Sequence, residues 1–236
     1  MPVEASSGPR LEHSVREGWW WSRWASRRVI TGITDRHGDA ALLAASLAGP
    51  ITMVAAEQVH GSSLAVIERH DPTPLVIPGC DALLTSVSRA ALLVRSADCL
   101  PVFFTDASRG VVGIAHAGWR GLAAHLLTRT IAMFRHVYHS RPDDLRVAIG
   151  PSIRSCCYEV GPEFAERFGA FVRLQNGRRT CDLIGVAVDQ LTRCGICPTR
   201  IVDSEHCTAC EAEHWYSLRR EGQAAGRMTS LIMLRS

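Results

Sequence analysis

The chain has 236 residues, 47% of them hydrophobic and 21% charged. That length holds one sizeable domain or two small ones, and that composition buries a core and excludes a largely disordered chain. The net charge of +3 is too small to steer nucleic acid or an anionic membrane; all 26 basic residues are arginine, which excludes a Schiff-base lysine, a phosphate-loop lysine and a Ser–Lys dyad.

Residues 1–28 read as a Trp/Arg-rich N-terminal arm, with Trp19, Trp20, Trp21 and Trp24 among Arg16, Arg23, Arg27 and Arg28. Such an arm stacks on nucleic acid or docks its tryptophans on the protein body, and the second is the expectation here. Glu4, Glu12 and Glu17 interrupt any apolar leader, and no apolar run reaches the ~18 residues of a membrane span. A cytoplasmic, reducing location follows as the expectation, with the nine cysteines used for packing or metal instead of a disulfide framework.

Without repeats or a long linker, residues 29–236 read as a single domain. Short Val/Ile/Phe-rich runs predict strands over 51–55, 63–68, 82–85, 91–95, 101–105, 111–115, 146–150, 200–203 and 227–234. Helical spacing predicts helices over 121–138, 162–172 and 182–194, the last with Asp182 as N-cap and Gly195 just past its end. Strands outnumber helices and several adjoin through short turns, which points to a layered, mixed-sheet α/β or α+β domain.

The stretch from Ser96 to Gly121 carries the chemistry. Two apolar runs flank the turn-rich Asp106-Ala107-Ser108-Arg109-Gly110, a hairpin pattern. If Thr105 pairs with Gly110, Cys99 falls opposite His116, and cross-strand partners stand ~5 Å apart at Cβ. Gly118-Trp119-Arg120-Gly121 then opens a helix, where free N–H groups and the Arg120 guanidinium suit phosphate. A Cys/His pair reads as two metal ligands, as a nucleophile with its base, or as packing. A catalytic zinc needs a third protein ligand, and His60 in Gln58-Val59-His60-Gly61 is the best placed. Asp98 reads as a partner to a histidine ligand, a proton shuttle, or a turn residue. Cys194, Cys197, Cys207 and Cys210 form two CxxC elements, but the residues between Cys197 and Cys207, which include a strand at Arg200–Asp203, span ~30 Å when extended, against a shared zinc. Cys156 and Cys157, being adjacent, are expected to point apart, so that one at most lines a pocket.

The segments EQVHG (57–61), CDALLTS (80–86), SADCLPVFFTD (96–106), AHAGWRG (115–121), AIGPSIRSCCYEVGPE (148–163), CDL (181–183), CT (207–208), YSLRR (216–220) and GRM (226–228) resemble, in order, the laccase-domain or polyphenol oxidase family, also called peptidoglycan editing factor. The resemblance implies a four-layer α/β/β/α sandwich with mixed sheets. It implies one catalytic zinc on His60, Cys99 and His116, and phosphorolysis of purine nucleosides (adenosine, inosine, guanosine, methylthioadenosine) with adenosine deamination beside it. The catalytic expectation is Cys99, His116 and Asp98; the substrate and phosphate expectation is Arg120, Gln58 and Gly118. The expected partners are a purine nucleoside and phosphate, with no nucleic acid and no membrane, on a monomer. Copper is the alternative metal, although one site of two imidazoles and a thiolate lacks the further coppers a laccase needs for dioxygen. A Cys–His amidase or deamidase with Cys99 as nucleophile is the alternative enzyme, and a structural zinc in a binding module the non-enzymatic one. The Asn-containing segments usual in the family before QVHG are missing, the chain's one Asn being Asn176.

Overall fold

Those apolar runs become two mixed sheets in the computed structural model, which describes residues 10–14, 18–22, 24–38, 50–69 and 74–235. The first sheet runs in the order β1 (Arg10–Ser14), β2 (Gly18–Ser22), β3 (Val29–Ile33), β15 (Met228–Leu234), β8 (Ala90–Ser96), β4 (Thr52–Ala56), β6 (Leu75–Ile77). The second runs β14 (Ile201–Asp203), β11 (Leu145–Ile149), β9 (Leu100–Asp106), β10 (Val111–Ala117), β7 (Ala82–Thr85), β5 (Leu64–Ile67). Each mixes directions: β4 is parallel to β6 and β8, β11 to β14 and β5 to β7, while the other pairs are antiparallel. The α/β class with mixed sheets is the one the sequence predicts. A separate hairpin joins β12 (Val172–Gln175) to β13 (Arg178–Cys181).

Burial explains why β9 and β10 are apolar throughout instead of alternating. The second sheet is covered on both faces, so every residue of these two strands is buried. On one face Leu83, Phe103 and Ile114 meet Val54, Leu92 and Ile232 of the first sheet, with Trp24 and Trp215 in the same core. On the other, Leu84, Val102, Phe104 and Val147 meet the helix residues Leu127, Ile131, Phe134, Ala187 and Leu191. Side chains of this size contribute ~1.5–3 kcal/mol each on full burial. The outer face of the first sheet also buries a patch of Ala91, Leu93, Leu231 and Met233. Among the described residues the layers therefore run helices, second sheet, first sheet.

At the N-terminus, β1 and β2 pair with each other, and Trp19 pairs with Ile33, which adds both strands to the first sheet. Trp24 is buried with its ring 6.4 Å from that of Phe103. Arg16, Arg23 and the Ala-rich stretch 40–48 lie outside the described residues.

Three expectations need correction. The hairpin closes with Asp106 opposite Val111, so His116 faces Pro101, and Cys99 lies just before β9 begins. The cause is the turn: Asp106 Oδ1 accepts from the backbone N–H groups of Ser108 and Arg109 and from Ser108 Oγ, which organises a four-residue loop. The single helix predicted over 121–138 is two, α1 (Trp119–Ala123) and α2 (Leu126–Tyr138), broken where His125 turns left-handed at φ 57°. Gln190 Nε2 donates to the Leu122 carbonyl at the break (2.8 Å) and makes the interruption tolerable. The helix predicted over 162–172 stops as α3 (Glu163–Phe168), because Gly169 at φ 50° ends it and the chain enters β12. By contrast α4 (Leu183–Arg193) starts as predicted, with Asp182 Oδ1 accepting from Gly185 N, and Gly195 follows at φ 93°.

Candidate functional site

His60 stands in the loop that leaves β4 of the first sheet for β5 of the second. Cys99 stands in the loop that leaves β8 of the first for β9 of the second, and His116 is near the end of β10. These crossings bring one nitrogen of each histidine and the Cys99 sulfur within 4.8 Å of one another. The two imidazole rings meet edge to face with centroids 4.8 Å apart. His116 is buried, Cys99 half-buried and His60 exposed.

The loop that carries His60 is held in an uncommon shape, with Gln58 at φ 66° and His60 at φ 59°. Asp81 stabilises it. Its carboxylate accepts from the backbone N–H of His60 (3.0 Å) and of Gly61 (2.7 Å). Asp81 Oδ1 also lies 3.0 Å from His116 Nδ1, and an ionised carboxylate only accepts, so Nδ1 carries the proton and Nε2 keeps its lone pair for the site. The Asp81 carbonyl takes the His116 N–H as well (2.7 Å). One fully buried residue thus fixes the histidine loop and the histidine tautomer together.

Charge follows from these contacts. Burial pushes the Asp81 carboxyl up, but its bonds from His116 and the two backbone amides bring it below the usual carboxylate range. Burial also raises the Cys99 thiol, yet hydrogen bonds and positive charge from His116 and His60 override it and bring the thiol down to about 7. Burial opposes charge on His116, but Asp81 and Cys99 together raise it to about 9. Without a metal these contacts favour a thiolate beside an imidazolium, and a metal on His116 Nε2 would take the place of that ring's second proton.

The three donors open on a cavity of about 420 Å3 lined by Glu57, Gln58, Arg95, Ser96, Ala97, Leu218, Ala225 and Arg227 besides the donors themselves. Gln58 is spent on structure: its Nε2 donates to the Arg95 carbonyl, and its Oε1 accepts from the Arg95 N–H (2.7 Å). Gly118 supplies room, since a Cβ there would stand 2.9 Å from the Cys99 sulfur. Arg120 is exposed, stacked over the Trp119 ring at 4.5 Å, and is not among the cavity's lining residues. Asp98, at φ 90°, accepts from Thr208 Oγ1 (2.7 Å) and from the backbone N–H of Arg219 (2.7 Å). The carboxylate against a histidine of the site is that of Asp81, not Asp98. Asp81, Arg95 and Arg227 were missed from the sequence. The signal for Asp81 was its place in CDALLTS and for Arg227 its place in GRM; for Arg95 there was none, because it is the pairing of β8 with β15 that brings the two arginines to one cavity.

The family described as "Multi-copper polyphenol oxidoreductase laccase" matches residues 37–235. The chain belongs to this laccase-like family. Over 215 residues it is 33% identical to a protein named purine nucleoside phosphorylase YlmD from Geobacillus stearothermophilus, covering 84% of this chain and 78% of that one. Over 191 residues it is 32% identical to a protein named adenosine deaminase RL5 from an unknown prokaryotic organism, covering 74% and 72%. The crystal structure of YlmD superposes with a TM-score of 0.84 at 27% identity, over 97% of this chain and 100% of that one. Among laccase-like proteins, this chain therefore keeps the whole fold of its phosphorylase-named relative.

Proposed function

We propose that this protein is a zinc-dependent purine nucleoside phosphorylase with an adenosine deaminase side activity, its ion held by His60, Cys99 and His116. The observation that carries the reading is the convergence of those three donors within 4.8 Å at the mouth of a nucleoside-sized cavity. Two imidazoles and a thiolate fit zinc, and three protein donors leave one position for a reactant, the pattern of a catalytic site. The proton held on His116 Nδ1 by Asp81 is the orientation a histidine ligand needs. When bound, the ion supplies Lewis acidity and lowers the pKa of water.

The chain's own residues do the rest. In phosphorolysis a phosphate oxygen forms a bond to the sugar's anomeric carbon while the bond from that carbon to the purine nitrogen breaks, and its electron pair leaves with the base. Phosphate must be gathered beside the sugar, and Arg95 and Arg227 line the cavity with the required positive charge. They take the role expected of Arg120. Gln58 positions Arg95 through its backbone, Gly118 gives the sulfur space, and Asp98 anchors the turn that presents Cys99.

A copper polyphenol oxidase fits less well. A laccase needs several coppers, and among the described residues the other metal-sized cluster is made of four cysteines, with no histidine. A Cys99–His116–Asp81 hydrolase has one observation in its favour, the low thiol at about 7. A nucleophile pair, however, has no use for a second imidazole on the same sulfur. Incubation with adenosine, with and without phosphate, separates the readings: adenine formed only with phosphate supports phosphorolysis, and inosine formed without it supports deamination. Loss of both in His60→Ala is expected. Full turnover by a metal-stripped preparation would overturn the proposal.

A further inference from the structure

Outside that site, the cysteines present a second arrangement. The sulfurs of Cys156, Cys157, Cys207 and Cys210 lie within 4.8 Å of one another. The separations are 3.6 Å from Cys156 to Cys207, 3.6 Å from Cys156 to Cys210 and 3.3 Å from Cys157 to Cys210. One sequence expectation is corrected here and another, that Cys194 and Cys197 do not share a site with Cys207 and Cys210, is met. Adjacent Cys156 and Cys157 both face the cluster, because they sit in a turn, closed by Cys157 N donating to the Arg154 carbonyl, and not in a strand. Cys207 and Cys210 do form half of a cysteine group, but their partners are this turn. Cys194 and Cys197 lie outside the cluster, and Cys197 meets Thr199 instead.

We propose that these four cysteines form a second metal centre, a closed all-thiolate zinc site that ties the loop after β11 to the loop after β14. Four sulfurs at ~2.3 Å from one tetrahedral ion stand ~3.8 Å from each other, close to the separations found. Disulfides would join sulfurs in pairs at ~2.05 Å and give no reason for four to converge. The two loops leave the same end of parallel neighbours, β11 and β14. They are already stitched together: Ser152 bridges to Cys207, Thr208 N donates to the Ser152 carbonyl (3.1 Å), and Arg154 pairs with Asp203.

Arg220, which also pairs with Glu221, donates from Nη1 to the carbonyls of Thr208 (2.6 Å) and Ala209 (3.1 Å) and so ties down the Cys207–Cys210 turn. Cys156 and Cys210 are exposed and Cys207 is buried, so an ion enters from solvent and binds onto the fold. The centre also serves the other site, since Thr208, next to Cys207, holds Asp98, and Asp98 is next to Cys99. Fixing the cysteine turn fixes the approach to the first group of donors.

Zinc content of the full chain, purified with zinc and reductant, tests this, with X-ray absorption at the zinc edge. His60→Ala removes a donor from the first site and leaves the thiolate centre. Its remaining zinc, about one per chain, is expected to show a shell of sulfur alone at ~2.3 Å. Cys156→Ser combined with Cys210→Ser changes two exposed positions that the fold does not need for its core, and this variant is expected to lose about one zinc against the wild type. If the first site held no zinc, the wild type and His60→Ala would bind equally, and the double variant would still lose its ion. Zinc content unchanged in the double variant overturns the proposal. So does a mass two hydrogens short per bridge, showing the cysteines joined as disulfides in protein purified without reductant and unable to take zinc after reduction.

Discussion

Asp81 links the histidine loop to the histidine tautomer, and its chemistry allows no substitute. An asparagine in its place would present an NH2 group to at least one of three N–H donors. Asp81→Asn is therefore expected to weaken zinc binding by about 10–100-fold, the usual cost of losing such a support, as read by competition with a chromophoric chelator. An unchanged affinity would show that the His60 loop holds itself. The same scale sets a pH response. In metal-free protein the Cys99 thiol, brought to about 7 from 9.0, stabilises the fold above pH 9, and that gain is lost as pH falls through 7. His116, raised to about 9 from 6.5, stabilises below pH 6.5, and its gain is lost as pH rises through 9. Between pH 7 and 9 the two slopes oppose each other, so the pair leaves metal-free stability nearly flat. Cys99→Ser removes one slope, and the urea midpoint of the metal-free variant is then expected to fall as pH rises from 6.5, under the hold that Asp81 keeps on His116. A variant whose midpoint stays flat would show that Asp81 without Cys99 does not hold the extra proton on His116.

Among the elements, what the sequence made legible were the segments whose burial is one-sided or complete over a run. All nine predicted strands exist within a residue or two, because Val, Ile, Leu and Phe runs mark a doubly covered sheet whatever its topology. What stayed hidden depends on neighbours. β1 and β6 are the edge strands of the first sheet, with β2 and β3 following β1 inward, and the break between α1 and α2 answers to Gln190 from another helix. One omission was readable: Gln175-Asn176-Gly177-Arg178 is an Asn-Gly hairpin turn, and both central residues take positive φ, 50° and 75°. The hairpin register of β9 and β10 was misplaced by the loop's Asp106 contacts, yet the site survived, because a two-residue slip keeps side chains on the same face. Gly113, in the middle of β10, lies against α2: a Cβ there would stand 3.1 Å from the Phe134 ring and 3.2 Å from the Leu83 carbonyl. Gly113→Val is expected to overpack this seam at a cost of about 1–3 kcal/mol, lowering Tm by ~2–4 °C per kcal/mol, while zinc content stays unchanged. A Tm equal to wild type would mean the helix rides clear of the sheet.

At the scale of the whole molecule, His60 and Cys99 both lie where the chain passes from one sheet to the other, while His116 is rooted in the second. An ion on these donors therefore bridges elements of different sheets, and it binds the folded chain alone, since the unfolded chain spreads the donors along the sequence from position 60 to position 116. Such linkage stabilises by RT ln(1 + [L]/Kd), about 4 kcal/mol at a thousandfold excess over Kd, which for a chain of this size is a rise in Tm on the order of 10 °C. Zinc titrated into metal-free protein is expected to raise Tm in proportion to the logarithm of its concentration. His60→Ala should lose the share that belongs to the bridge between sheets and keep the share that belongs to the four cysteines, while Cys156→Ser with Cys210→Ser should do the reverse. The two shares should add, because the centres bind separate ions. A Tm that ignores zinc in all three proteins would mean that neither group of donors closes on an ion; a response abolished by either variant alone would mean that the two centres form only together, through the Asp98–Thr208 contact that joins them.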